Sequence, residues 1–190
     1  MDDTRTRNGW HAGQPDGQPE SQSDRQPDGG GRSDLAVRMA RGVCRRLLDL
    51  GYRPLTEFKL TGGRRVDVIG LNDASRFLVV EIKTSVADFR ADAKWPEYLA
   101  YCDEYYFAVP PDFPTDLLPD EHGLIVADAF DAAVRRPAPV LPMNGTRRRH
   151  QILKFGLAAS ERLFRSADSW PPASGPSMGA LDAWRAQRGR

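Results

Sequence analysis

The sequence has little cysteine, and what it has shows no pairing pattern. Its two cysteines, Cys44 and Cys102, stand in apolar, helix-like surroundings. This usage argues against a small disulfide-bonded secreted domain and favours reduced, buried thiols. Neither cysteine has zinc-ligand spacing to His11, His122 or His150. We therefore expect a cytoplasmic protein without a structural zinc site.

Long apolar runs are missing as well. None approaches the roughly 18–20 residues that a membrane-spanning helix needs. The first residues contain no apolar stretch of the kind that secretory signals carry. An excess of one charge is also missing, because 27 basic side chains balance 26 acidic ones to a net charge of +1. Bulk charge therefore does not predict nucleic-acid binding, and any DNA surface must be a local patch.

Aliphatic residues are almost absent from residues 1–33, which are rich in Gly, Gln, Pro, Asp and Ser. Such a segment cannot bury enough apolar surface to offset its chain entropy, so we expect a disordered N-terminal tail. Residues 166–190 contain Pro171, Pro172 and several Gly, Ser and Arg residues, and we expect a flexible C-terminal tail there. Residues 34–165 are left as one domain, long enough to bury a core.

Hydrophobic periodicity divides this domain into helices and strands. The first helix is predicted from Ser33 or Asp34 to about Leu50, with Gly51 as its stop. Its predicted core stripe is Leu35, Met39, Val43, Leu47 and Leu50. Strands are predicted at 55–60, 64–71, 76–83, 105–109 and 123–127, helices at 86–93 and 152–165, and mostly loop at 128–150. The order α-β-β-β-α-β predicts an α/β domain with a mixed sheet flanked by helices.

Charged side chains that could form one site stand on two neighbouring strands. Asp67 lies near the middle of one strand, and Glu81 and Lys83 end the next. Because side chains alternate faces along a strand, Glu81 and Lys83 share a side, and Asp67 on the paired strand can reach it. Residues 77–83 are otherwise apolar, as in a central strand covered on both faces. Charges at such a place are costly unless they are paired or bound to a metal.

Two carboxylates beside an ammonium group suit a divalent metal and the activation of a water next to it. The alternative is a solvated charge pair at a strand end, which is common. The apolar strand and the Asp on its neighbour favour the metal site.

These residues resemble the active site of the PD-(D/E)xK nuclease superfamily, which has a restriction-endonuclease-like αβββαβ core. The chain is also similar to the bacterial MmcB family of DNA repair proteins over about residues 35–165. The runs that carry this similarity are 64–68, 80–83, 85–92, 94–98, 101–103, 107–114 and 123–128. The resemblance implies a cytoplasmic protein that acts in DNA repair at the nucleoid, with metal-dependent hydrolysis of DNA phosphodiester bonds as its activity.

The resemblance also implies roles for individual residues. Asp67 and Glu81 match the metal-binding acids, and the backbone carbonyl of Ile82 is a further candidate ligand for Mg²⁺ or Mn²⁺. Lys83 matches the catalytic lysine, which would orient the attacking water or stabilise the phosphate charge. Glu57, on the strand before Asp67, is a candidate third acid, and a plain surface glutamate is the alternative.

Other basic and aromatic residues are candidate DNA contacts. They are Arg65, Arg90, Lys94, Trp95, Arg147 and Arg148. Arginine and lysine contact phosphates, and a tryptophan ring can stack on an unpaired base. The alternatives are a solvated surface for the cations and core packing for Trp95. An arginine row on the first helix, formed by Arg38, Arg41 and Arg45, has the same two interpretations.

The expected partner is damaged, branched or single-stranded DNA, and other repair proteins are further candidates. Three functions stay open on the sequence alone. The first is a repair nuclease, the second a non-catalytic DNA-binding or interaction module, and the third an RNA-processing enzyme or a subunit of a repair complex. The intact set of Asp67, Glu81 and Lys83 favours the nuclease, because a degenerate site more often lacks one of them.

Overall fold

The computed structural model describes residues 30–167, with side chains from residue 34 onward. Its helices are α1 (Gly30–Asp49), α2 (Val86–Ala91) and α3 (Gly145–Ala167). Its strands are β1 (Arg53–Lys59), β2 (Arg65–Leu71), β3 (Phe77–Ile82), β4 (Glu104–Val109), β5 (Gly123–Ala127) and β6 (Ala132–Arg136). Two 3₁₀ helices cover Trp95–Tyr101 and Thr115–Leu117. No helix among these residues is long and apolar enough to cross a membrane.

The tails predicted at 1–33 and 166–190 lie outside the described residues except at their inner ends. There α1 begins at Gly30, before the predicted cap at Ser33 or Asp34, and α3 continues to Ala167.

The six strands form one mixed sheet in the order β1-β2-β3-β4-β5-β6. Strands β1, β2 and β3 are antiparallel, β3 to β5 are parallel, and β6 returns antiparallel at the far edge. All six residues of β3 are buried, because the strand has a partner on each side and a helical layer on each face. The predicted mixed α/β domain with an αβββαβ core is confirmed.

Each face of the sheet has its own core. On one face α1 packs Met39, Val43 and Leu47, each fully buried, against the strands. On the other face α3 and the first 3₁₀ helix cover a cluster rich in aromatic rings, including Phe58, Phe77, Phe107, Tyr98 and Phe155. The predicted α1 stripe therefore holds in its middle.

The end of that stripe is wrong at Leu50, which is 43% exposed. The helix ends at Asp49, and Gly51 turns the chain with a φ of 83°, a conformation that glycine adopts without strain. Leu50 therefore lies beyond the helical face that contacts the sheet.

The prediction of a loop at 128–150 was wrong at both of its ends. Strand β6 is short and lies at the sheet edge, and only Ala132 is buried, with every second residue after it half-buried, so its apolar signal is weak. Helix α3 begins seven residues earlier than predicted because the Asn144 side chain accepts hydrogen bonds from the amides of Thr146 and Arg147. The Asn144-Gly145 pair is as typical of a turn as of a helix start.

One close backbone contact fixes α1 against the sheet. A Cβ atom on Gly42 would lie 2.5 Å from the carbonyl oxygen of Asp128 and 2.8 Å from that of Asp131. Arg45 strengthens the contact by donating to the carbonyls of Ala129 and Phe130 at 2.6 and 2.8 Å. The position of α1 matters because this helix forms one wall of the candidate site.

Candidate metal and phosphodiester site

The candidate site lies where β2 and β3 separate. Their ladder ends at the pair Val68 and Val80. Beyond it, Asp67 Oδ2 accepts a hydrogen bond of 2.7 Å from the backbone amide of Ile82. A side-chain carboxylate thus takes the place of a strand partner, and the fork leaves room between the two strands.

Strand β1 is also irregular at this level. Its register with β2 passes from Thr56–Val68 to Phe58–Val66 and leaves out Glu57, which has a φ of 49°. A left-handed backbone is uncommon for a residue other than glycine, and such strain clusters at functional sites. The irregularity lies directly beside Asp67.

A cleft of about 500 Å³ opens at the fork, between α1 and α2. Asp67, Glu81 and Lys83 all line it, together with Asp88 and Ile82. The structure therefore brings together the two acids, the lysine and the residue whose carbonyl was the further candidate ligand. The feature that joins them is the position of Glu81 and Lys83 at the end of a buried strand, next to the strand of Asp67.

Lys83 is held by two carboxylates. Its Nζ atom lies 3.1 Å from Glu81 Oε1 and 2.5 Å from Asp92 Oδ2, and the residue is 3% exposed. Burial lowers the pKa of the Lys83 ammonium, but the charge of Glu81 and the hydrogen bond to Asp92 outweigh this effect, and the net shift is upward. Lys83 is therefore a cation at neutral pH and is suited to stabilising phosphate charge, not to removing a proton.

For the two acids, Asp67 and Glu81, the effect of burial on the pKa is the larger one. Burial raises the pKa of Asp67, against the hydrogen bond from the Ile82 amide. Burial also raises the pKa of Glu81, and the nearby charge of Asp67 raises it further, although Lys83 opposes both. Two buried carboxylates in contact with one cleft thus lack enough positive charge to ionise readily.

This shortage of positive charge beside the two acids suits a hard divalent cation. Glu81 Oε2 is buried and has no hydrogen-bond partner among the described residues. Within residues 34–167, no group of three His, Cys, Asp or Glu side chains is placed to hold a metal by itself. The donor set of Asp67 and Glu81 therefore suits Mg²⁺ or Mn²⁺, which bind few carboxylates and keep several waters, better than a closed zinc cage.

Asp92 is the site residue that the sequence analysis missed. It follows α2 directly, and its Oδ1 accepts a hydrogen bond from the Lys94 amide while its Oδ2 holds Lys83. It was visible only as the last residue of the run 85–92. Nothing in the run indicated that α2 would be only six residues long and would place Asp92, just after its end, next to Lys83.

Glu57 does not join the two acids. Its carboxylate lies 2.7 Å from Arg65, and both side chains are more than half exposed. Glu57 borders a second groove on the β1 side of Asp67, not the cleft that contains Glu81. The predicted third acid and one predicted DNA contact are thus each other's partners in the structure.

The cations and the aromatic residue after the motif have different surroundings. Arg90 and Lys94 are exposed near the end of α2. Trp95 stacks on Tyr105 with ring centroids 5.8 Å apart and meets Phe107 and His122 edge-on. Core packing accounts for Trp95, so the prediction of a stacking platform for DNA is not supported.

Arg147 and Arg148, two of the candidate DNA contacts, have partners within the fold. Arg148 donates to both oxygens of Asp103 and to the carbonyl of Ser75, and Arg147 lies 4.9 Å from the centroid of the Tyr101 ring. Ser75 precedes β3, whereas Glu81 stands near its other end. At about 3.3 Å per residue, Arg148 is therefore well removed from the cleft.

Comparisons with known proteins identify the family. The model of the MmcB-like family, described as "DNA repair protein MmcB-like", matches residues 23–170. This chain is a member of that family. The match spans the complete sheet and all three helices. As a member of this family, the MmcB-like protein has a role in DNA repair. This role agrees with the resemblance of its sequence motifs.

Two solved structures are also similar. One is the SPO1766 protein of unknown function from Silicibacter pomeroyi, with 44% identity, a TM-score of 0.70, and coverage of 73% of this chain and 94% of that one. The other is a repair endonuclease from Pyrococcus abyssi, with 15% identity, a TM-score of 0.30, and coverage of 48% and 41%. This second likeness is too weak to support an argument. No curated protein matches the chain.

The raised pKa of Glu81 predicts that stability depends on pH. Below its ordinary pKa of 4.5 Glu81 is protonated in both states, and between that value and about 8 only the folded state keeps the proton. The folded state then binds more protons, so stability falls as pH rises through this range. We expect the metal-free protein to lose on the order of 2 kcal/mol between pH 5 and pH 8 relative to Glu81→Gln.

The measurement is urea unfolding with a chelator at several pH values. Millimolar Mg²⁺ at pH 8 should return stability to the unsubstituted protein and leave Glu81→Gln unchanged, because a ligand stabilises only the state that binds it. Parallel pH profiles of the free energy of unfolding for the two proteins would contradict a raised pKa of Glu81 in the folded state.

Proposed function

We propose that this MmcB-like protein is a metal-dependent nuclease that hydrolyses phosphodiester bonds in damaged or structured DNA. The observation that carries the proposal is the cleft with Asp67, Glu81 and Lys83 side by side, where one buried carboxylate oxygen has no partner. Of the four buried polar side-chain atoms that lack a partner among the described residues, only this one belongs to a residue that lines the cleft.

Asp67 and Glu81 are the residues that would hold Mg²⁺ or Mn²⁺, with the carbonyl of Ile82 as a further ligand. When bound, the ion supplies Lewis-acid chemistry, because it lowers the pKa of water at the site and offsets the charge of the phosphodiester.

Lys83 contributes a fixed positive charge. Its two carboxylate partners hold the ammonium group in one place, so little reorganisation is needed when negative charge grows on the phosphate. Asp92 positions Lys83 through the hydrogen bond of 2.5 Å that its Oδ2 accepts from Lys83 Nζ. Arg90 and Lys94, exposed beyond α2, are the cations that we propose for contacts with flanking phosphates.

The test is cleavage of a labelled DNA panel of duplex, single-stranded, flap, abasic and cross-linked forms. Each form is incubated with Mg²⁺, Mn²⁺ or a chelator, and Glu81→Gln is purified in parallel as a variant of the same size. We expect metal-dependent cleavage of at least one form, lost by about 10²-fold or more in Glu81→Gln. Cleavage that persists in the chelator or in the variant would contradict the proposal.

A non-catalytic DNA-binding module is the competing function. It predicts no cleavage of any form, together with equal DNA affinity for the unsubstituted protein and Glu81→Gln. The burial of Glu81 and Lys83 at one cleft beside Asp67 argues against it, since burying ionisable groups is costly and a domain that only binds DNA gains nothing from it.

A further inference from the structure

A second groove adjoins the cleft on the far side of Asp67. It has a volume of about 430 Å³ and lies between α1 and the β1 edge of the sheet. Ala36, Ala40 and Cys44 form its α1 wall, and Thr56 and Glu57 form its β1 wall. Its size is in the range of sites that take one small ligand.

The groove and the cleft are continuous. Ala36, Asp67 and Ile82 border both. A chain whose phosphodiester bond lies at Asp67 and Glu81 would therefore place its neighbouring nucleoside at the mouth of the groove. This continuity favours an occupant that is covalently joined to a phosphate at the cleft.

Two arginines of the predicted α1 row, Arg41 and Arg45, line the groove. Arg38 is 3.5 Å from Asp34, and two nitrogens of Arg45 are used by the carbonyls of Ala129 and Phe130. Arg41 lines the groove, is exposed, and has no hydrogen bond or ion pair within residues 34–167. The three arginines are thus not equivalent, and Arg41 is the one whose guanidinium group is available to a ligand.

Resting on the proposed function, we propose that the groove binds one unpaired nucleotide of the DNA strand that enters the cleft. The small α1 side chains leave a flat apolar wall for the base, and the Arg41 guanidinium can stack on the base or contact the adjoining phosphate. A base stacked in a duplex cannot enter a pocket of this kind, so the substrate class is DNA with a single-stranded end, gap or displaced base.

The test measures DNA binding without cleavage, in a chelator, with the full chain. A duplex with a three-nucleotide overhang carries 2-aminopurine at the first unpaired position, and the blunt duplex serves as reference. We expect tighter binding of the overhang DNA and a change in 2-aminopurine fluorescence when the base enters the groove. Arg41→Ala should weaken overhang binding about tenfold and the blunt duplex much less.

Arg38→Ala is the matched control, because it removes the same charge from the same helix outside the groove. Cys44→Met fills the groove from its α1 wall and should remove the fluorescence change, with a melting temperature measured to show that it folds. The proposal is overturned if overhang and blunt DNA bind equally, or if Arg41→Ala and Arg38→Ala behave alike. It is also overturned if the protein forms a dimer that Cys44→Met abolishes, because a second copy would then occupy the groove.

These outcomes are independent of catalysis. Selective binding of the overhang with no cleavage in the metal panel would refute the nuclease and keep the groove. Cleavage of blunt and overhang DNA at equal rates and affinities would do the reverse.

Discussion

Replacing Lys83 by methionine is expected to lower metal-dependent DNA cleavage by about 10²- to 10³-fold while DNA affinity stays within about threefold. The side chain is buried and touches Glu81 and Asp92, so its charge acts inside the cleft and not on the outer DNA surface. Methionine keeps most of the volume of lysine and removes the charge. Single-turnover cleavage and fluorescence anisotropy, measured on the same DNA, separate the two quantities.

Two further variants sharpen this prediction. Lys59→Met makes the same substitution on an exposed residue of β1 and should leave cleavage unchanged. Asp92→Asn keeps the shape of a positioning residue but weakens its hold on Lys83, so it should reduce the cleavage rate less than Lys83→Met and shift its pH profile. A Lys83→Met protein that cleaves as fast as Lys59→Met would remove Lys83 from the mechanism.

The fold was largely predictable because its signals are local. The continuous apolar run of β3 predicts a central strand, and Gly51 and the Ser85 cap mark helix ends. The elements that escaped prediction lack such signals. Strand β6 is half exposed, and the start of α3 depends on the Asn144 side chain, which serves turns equally well.

The site was predictable where alternation along a strand decides it. Glu81 and Lys83 share a face because they are two residues apart, and Asp67 follows from the pairing of β2 with β3. Side chains placed by tertiary contacts were not predictable. Asp92 reaches Lys83 only through the turn after α2, and Glu57, whose backbone adopts a left-handed conformation, pairs with Arg65.

Arg148 is a cation whose partner is likewise set by a tertiary contact. Its replacement by alanine is expected to lower the free energy of unfolding by about 3 kcal/mol. Asp103 is 3% exposed and accepts hydrogen bonds from Arg148 and from the amides of Phe77 and Met143. Burial raises the pKa of Asp103, but the hydrogen bonds from Arg148 and the two amides outweigh it, so the net shift is downward. The carboxylate is therefore charged at neutral pH and would lose its partner ion. Urea unfolding measures the loss, which corresponds to roughly 10 °C in melting temperature.

Arg149→Ala is the matched control for this prediction. Arg149 is the next residue along α3, is exposed, and makes no hydrogen bond or ion pair within the described part of the chain. Its replacement should change stability by less than about 0.5 kcal/mol.

DNA binding by Arg148→Ala is the second measurement. At a temperature where this variant is still folded, its DNA affinity and the salt dependence of that affinity should equal those of the unsubstituted protein, because a lost phosphate contact would lower the salt slope. A guanidinium held by a buried carboxylate cannot be removed without a loss of stability. If Arg148→Ala instead lowers the salt slope of DNA binding and leaves stability unchanged, Arg148 contacts DNA and does not hold Asp103.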